Sequence, residues 1–150
     1  MPTDKLKQVV SAHNITKDGF IYSARIDAVI SRKGGRVAMG SHGNNEGIGV
    51  HNELWALQMG GLTNMQALRV ATLTGAEAIG IQKDVGSIEV GKIADLVILN
   101  KNPLDDIHNS REIKYVMKDG VLYDGDTLNE LWPNHKKCPD WKLHDNVNKN

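Results

Sequence analysis

A single cysteine, Cys138, leaves the chain no internal disulfide and no cysteine-based metal framework. One cysteine is compatible with an exported protein as well as an internal one, so the compartment stays open. Net charge is lacking too. Eighteen basic and eighteen acidic residues cancel, and they are interspersed, which removes the field that would draw the chain to nucleic acid or an anionic membrane. The one short basic cluster, His135-Lys136-Lys137, reads as a solvated tail. No apolar run approaches the ~20 residues of a membrane span. The opening stretch, MPTDKLKQVVSAHN, has no apolar core of the signal-peptide kind. Internal repeats and low-complexity segments are absent.

What remains is ordinary globular material, 40% apolar and 24% charged over 150 residues. That length suffices for one sizeable core. Residues 1–19 read as polar and irregular, with Gly19 as punctuation. From Ile21 onward Ala24, Ala28 and Val29 recur near helical spacing, widened by Ile26 and Ile30, which predicts a helix over 21–32. Gly34 and Gly35 stop it, because glycine adopts the left-handed C-cap conformation without steric cost. A strand is expected at 36–40, then a polar loop, then a helix over 51–59 carrying Leu54, Trp55 and Leu57. Thr63 with Gln66 forms a capping box that opens a helix over 63–73. Thr74 with Glu77 repeats the pattern and predicts a short turn at 75–79.

Beyond Asp84 the pattern becomes β-like. Asp95-Leu96-Val97-Ile98-Leu99 is an apolar run suited to a buried strand. Two β-prone runs, 113–118 and 121–123, flank Asp119-Gly120, and Asp-Gly is a strong hairpin signal because both turn positions need positive φ. One small antiparallel sheet or half-sandwich is expected. After about Asp126 the chain reads as a polar tail anchored by Leu131, Trp132 and Trp141. The implied divisions are 1–83, 84–126 and 127–150. Trp55 reads as a packing residue, and Lys92 and Asp95 as turn and solubility residues.

The most informative stretch is RVAMGSHGNNEGIGVHNE, residues 36–53. A strand that ends in an ionisable residue, followed by a glycine-rich loop and a helix, is how α/β barrels place catalytic groups at their C-terminal rim. His42 is the residue so delivered, and His51 and Glu53 follow it just ahead of the helix. Gly43, Gly47 and Gly49 match neither the phosphate-binding P-loop nor G-x-G-x-x-G. They read instead as loop flexibility near a ligand. His51 and Glu53 are two apart, so they do not share a helical face and form a poor metal pair. Glu53 also suits the first turn of a helix, where the dipole favours an acid. His135, Cys138, His144 and Asp145 lack closed metal-ligand spacing.

Several phrases together resemble the C-terminal portion of the amidohydrolase superfamily: GGRVAMGSHG, GGLTNMQALRVATLTGAEAIGI, DVGSIEVGKIADLVILNKNPL and IKYVMKDGVLYDG. The likeness is strongest to the branch fused behind a β-propeller, where the HGxxxGxGxHxE pattern of His42 to Glu53 is expected. The resemblance implies an α/β fold: the C-terminal part of a (β/α)8 metal-dependent hydrolase barrel plus part of its small β-sandwich. It also implies a divalent metal, zinc foremost, with most ligands outside this chain, and a small-molecule or peptide-like substrate with no nucleic acid or membrane partner. In the family, metal-activated water attacks a carbonyl carbon bonded to nitrogen, and a carboxylate on the last barrel strand takes up its proton. This chain departs from that pattern twice. It carries Gly40-Ser41-His42 where Gly-Thr-Asp is usual, and it contains no His-x-His pair. His42 therefore fits a base, an imidazole titrating near ~6.5, a metal ligand, or a loop histidine that only hydrogen-bonds backbone. His51, Glu53, Gly43, Gly47 and Gly49 fit substrate-loop or supporting positions. Acting alone the chain is expected to be inactive, completed by a missing N-terminal portion or other chains. The competing readings are a non-catalytic binding or scaffold module and, more weakly, a nucleotide-binding domain using the 43–49 loop.

Overall fold

The computed structural model describes residues 17–41 and 47–139. His42, Gly43, Trp141, His144 and Asp145 lie outside the described residues. Helix α1 spans Lys17–Arg32, so it starts four residues before the apolar periodicity does, and Gly19 falls inside it rather than ending a tail. Its buried side is made of small residues, Ala24 and Ala28, which let α2 approach closely. Gly34 ends it at φ 84°. The Gly34 amide donates to the Ser31 carbonyl at 3.1 Å and that of Gly35 to Ile30 at 2.9 Å.

The strand expected at 36–40 pairs with nothing among the described residues and is not a sheet element. A strand is stabilised by its ladder partners, and those are not supplied here. The alternation survives all the same, since Val37 and Met39, two apart, both pack against the core.

Helix α2, Ile48–Met59, starts three residues earlier than expected, so Gly49 belongs to its first turn and not to a flexible loop. Leu54, Trp55, Ala56 and Leu57 are all buried, more than one helical face, because α2 is covered by α1 and by the turn at Ile107–Arg111 on different sides. Thr63 and Gln66 form the expected capping box. The Gln66 amide donates to Thr63 Oγ1 at 3.2 Å, and the Thr63 amide to Gln66 Oε1 at 2.9 Å.

Helix α3, Asn64–Arg69, then runs through a π-helical turn, Val70–Thr74, into α4, Gly75–Ile79. The second capping box does not form. Thr74 keeps helical dihedrals with no side-chain cap bond, and Glu77 lies 4.0 Å from Arg69 instead. The wider turn keeps the chain helical across a point where the sequence reads as a restart. Gly80, at φ 80°, ends α4.

Four antiparallel strands follow in the order β1 Leu96–Leu99, β2 Ile113–Lys118, β3 Val121–Asp124 and β4 Glu130–Trp132. The β2–β3 turn has Asp119 at φ 49° and Gly120 at φ 78°, as Asp-Gly requires, with Lys118 opposite Val121. Asp95 accepts from the Asp119 amide at 2.7 Å and from Lys118 Nζ, so it clamps the hairpin to β1 as well as shaping a turn. Strand β1 is an edge rather than a buried strand, and Val97 is 60% exposed. Strand β4 falls where a polar tail was expected, and Trp132 on it is exposed rather than an anchor. Among the described residues no strand side chain is fully buried, which leaves a half-sandwich with one layer.

The core is therefore helical: Ala28, Leu54, Trp55, Leu57, Leu62, Ala67 and Val70. Ile107, from the 3-10 turn Ile107–Arg111 between β1 and β2, inserts into it and joins the sheet to the helices. Burying such a side chain is worth about 1.5–3 kcal/mol. No helix among the described residues is long and apolar enough to cross a membrane.

Candidate active site

The N-terminal end of α2 makes two separate attachments, and these organise the site. The first is to the segment leading into His42. The Gly40 amide donates to Glu53 Oε2 at 2.9 Å. Ser41 lies so close to Gly49 that a Cβ there would stand 3.3 Å from the Ser41 Cβ. Glycine at 49 thus allows a close backbone approach, and glycine at 47, with φ 77°, supplies the left-handed turn into the helix. Residues 40–41 are held against the first two turns of α2 from both directions.

The second attachment is to the 3-10 turn. His51 Nδ1 lies 3.0 Å from Ser110 Oγ, and Trp55 Nε1, one helical turn further on, donates to the same oxygen at 3.1 Å and to the Ile107 carbonyl at 3.2 Å. Ser110 is the buried polar residue at the centre of this group, 6% exposed. The His108 ring lies 4.5 Å from the Trp55 ring, and His108 Nδ1 is paired with Asp106 at 2.8 Å. Burial, reinforced by the Arg111 cation, lowers the His51 pKa and so favours the neutral imidazole. Asp106 is held below the usual carboxylate range by the His108 amide and ring.

His51 and Glu53 thus point their chemistry at different partners, as a spacing of two on a helix dictates. Among the described residues no three of histidine, cysteine, aspartate and glutamate converge to hold a metal ion. The described residues therefore do not themselves fit the metal that the family resemblance implies. Sequence reasoning missed Ser110, His108, Asp106 and Arg111, and it saw Trp55 only as packing. Asp106 followed two residues later by His108 is readable as a side-chain cap on a turn, and the His108 amide does donate to Asp106 at 2.9 Å. That the turn meets α2, more than fifty residues away, has no local signal.

The sequence profile of the amidohydrolase family matches residues 7–123. A 5-methylthioadenosine/S-adenosylhomocysteine deaminase of Teredinibacter turnerae is 33% identical over 95 residues, covering 55% of this chain and 22% of that protein. An imidazolonepropionase of Sphingopyxis alaskensis is 36% identical over 85 residues, covering 53% and 21%. Among solved structures, a Xaa-Pro dipeptidase with methionine bound in its active site superposes with a TM-score of 0.62 at 32% identity. That match covers 68% of this chain and 25% of the dipeptidase.

The fold is thus a partial α/β unit with an antiparallel sheet, the C-terminal portion of proteins built on a (β/α)8 barrel. The chain belongs to the amidohydrolase family. It spans between 21% and 25% of the length of these relatives.

Proposed function

We infer that this chain forms the last part of a metal-dependent amidohydrolase that cleaves carbon–nitrogen bonds with activated water. Family membership supports the reading, as do relatives whose names, a deaminase and a dipeptidase, describe reactions at such bonds. The observation that carries it is the double attachment of residues 40–41 to α2 through Glu53 and Gly49. Fixing the backbone just ahead of His42 is what a catalytic group at a barrel rim needs, since small displacements of a reacting group cost rate. In this reading His42 serves as base or metal ligand. Glu53 and Gly49 position its approach, and Gly43 and Gly47 shape the loop that receives substrate. The zinc or other divalent ion would take its ligands outside the described residues.

The chain alone is inactive in this reading, and upstream sequence or other chains complete the barrel. The exposed apolar side chains of α1 (Tyr22, Ile26, Val29 and Ile30) and the edge of β1, unpaired among the described residues, are the surfaces that such a complement would cover.

The test is to assay the 150-residue chain, and the same chain joined to the coding sequence upstream of it, with zinc. The substrates are an Xaa-Pro dipeptide and 5-methylthioadenosine. The longer protein should turn over a C–N substrate, the short chain should not, and His42→Ala should lower kcat by about 10²-fold or more. Turnover by a compact monomer of the short chain would overturn the need for a complement. Inactivity of the completed protein on every C–N substrate would favour the scaffold reading.

A further inference from the structure

The two bonds at Ser110 Oγ fix the direction of a third donor. An indole N–H can only donate, so Trp55 Nε1 makes the Ser110 oxygen an acceptor at 3.1 Å. The serine hydroxyl then has its own hydrogen to place. Ser110 is buried, and among the described residues the one remaining group within hydrogen-bonding distance is His51 Nδ1 at 3.0 Å. Buried donors are nearly always satisfied, so the hydroxyl donates to Nδ1. An imidazole whose Nδ1 accepts, and which is not charged, carries its proton on Nε2.

We propose that Trp55 and Ser110 are positioning residues that lock His51 as the neutral, Nε2-protonated tautomer, making its Nε2–H a fixed hydrogen-bond donor to a substrate oxygen. The donor role rests on the C–N hydrolase reading above, while the tautomer does not. In this state His51 has no free lone pair on either nitrogen, so it acts neither as a general base nor as a metal ligand. A neutral histidine donor suits a carbonyl oxygen that gains negative charge as water adds. It polarises that oxygen without giving up its proton. The ring is half-buried, so it keeps access to a ligand while the protein holds its other edge. The charged and titratable groups on the turn packed against it are Arg111 and His108, the latter paired with Asp106. The Arg111 cation opposes protonation of the ring.

The tautomer is read directly by long-range 1H–15N correlation spectra of the histidine side chains in the 150-residue chain. At neutral pH, His51 Nδ1 should resonate as an unprotonated acceptor and Nε2 as a protonated nitrogen. Added zinc should leave both resonances in place. A charged ring, an Nδ1-protonated ring, or zinc-dependent loss of the Nε2 proton would overturn the proposal. Ser110→Ala removes the donor and should yield a mixture of tautomers, which Ser110→Thr, keeping the hydroxyl, should restore. Trp55→Phe should also release the lock, because the serine oxygen is then free to accept from Nδ1 instead. Should that variant fail to fold, the wild-type spectrum and the Ser110 pair still decide.

In the completed, active protein, His51→Gln retains an N–H donor and should stay within about 10-fold of wild type, whereas His51→Leu should lose about 10²-fold or more in kcat. Equal damage from both would overturn the donor role. A locked tautomer in a protein that hydrolyses nothing would instead overturn the hydrolase reading alone.

Discussion

Glu53 Oε2 accepts a hydrogen bond from the Gly40 amide across thirteen residues of sequence, at 2.9 Å. The bond fastens the segment ahead of His42 to α2, and it is the longest-range polar tie on that segment among the described residues. A hydrogen bond of this kind contributes about 0.5–1.5 kcal/mol net. Glu53→Ala should therefore speed amide exchange at Gly40 by up to about 10-fold, since ~1.4 kcal/mol corresponds to that factor. Glu53→Gln, which keeps an acceptor oxygen, should recover most of the protection. Unchanged Gly40 exchange in both variants would mean that Glu53 holds nothing in solution.

Local chemistry was legible in the sequence, and long-range assembly was not. The Thr63–Gln66 capping box, the left-handed Gly34 and the Asp119-Gly120 turn are each decided by residues adjacent in sequence, and each forms as expected. The residues at 36–40 alternate as a strand does, yet they pair with nothing among the described residues, because pairing depends on neighbours that a local pattern cannot supply. Thr74 and Glu77 have capping-box spacing, but a π-helical turn carried the helix through them. In the site, the glycines read as a flexible loop, whereas Gly47 turns into α2 and Gly49 stands in its first turn, and the His51–Ser110–Trp55 group escaped notice. Its members come from elements separated by a loop, a strand and three helical segments.

Gly60 marks the closest approach of α1 and α2. Its φ of −71° is ordinary, so nothing in its own backbone requires glycine. A Cβ there would stand 2.2 Å from the Ala24 carbonyl oxygen and 3.0 Å from the Arg25 amide nitrogen, both backbone atoms that cannot rotate aside. Gly60→Ala must push the helices apart and should cost about 1–3 kcal/mol, as overpacking does. Gly34→Ala meets nothing within 4 Å and suffers only from its positive φ, at about 1 kcal/mol. Urea unfolding of the two variants should rank Gly60→Ala as the more damaging. The reverse order would show that the helix contact yields easily.

Stability should also report on His51 through pH. Burial and Arg111 hold its folded pKa below the ordinary 6.5, so between those values the unfolded chain binds a proton that the folded chain does not. Its contribution is full above 6.5 and is lost as pH falls towards and through the folded value. Asp95, Asp106 and Asp124, all depressed below 3.8, lose their contributions only in more acidic solution, so the two effects separate. The melting temperature of the wild type should fall between pH 7.5 and pH 5, and that of His51→Gln should fall less. Parallel profiles would show that the ring titrates alike in both states.

The outer face of α1 carries the last prediction. Tyr22, Ile26, Val29 and Ile30 recur at i, i+4, i+7 and i+8 and are 66%, 44%, 48% and 43% exposed, opposite the buried Ala24 and Ala28. A contiguous apolar stripe of that kind is unusual on a monomer. Beside it stands a sheet in which, among the described residues, nothing pairs with the outer edge of β1 and no second layer covers the strands. Without a complement to cover these surfaces, the chain should self-associate. Sedimentation at high micromolar concentration should give a mass above that of one chain. The double variant Ile26→Glu, Ile30→Lys places an acid one turn ahead of a base on the same stripe, the order that supports a helix, while removing the apolar surface. It should shift the distribution towards monomer with helical circular dichroism unchanged. A wild-type chain that stays monomeric throughout would show that the stripe is tolerated in water and that association is not how this fold hides it.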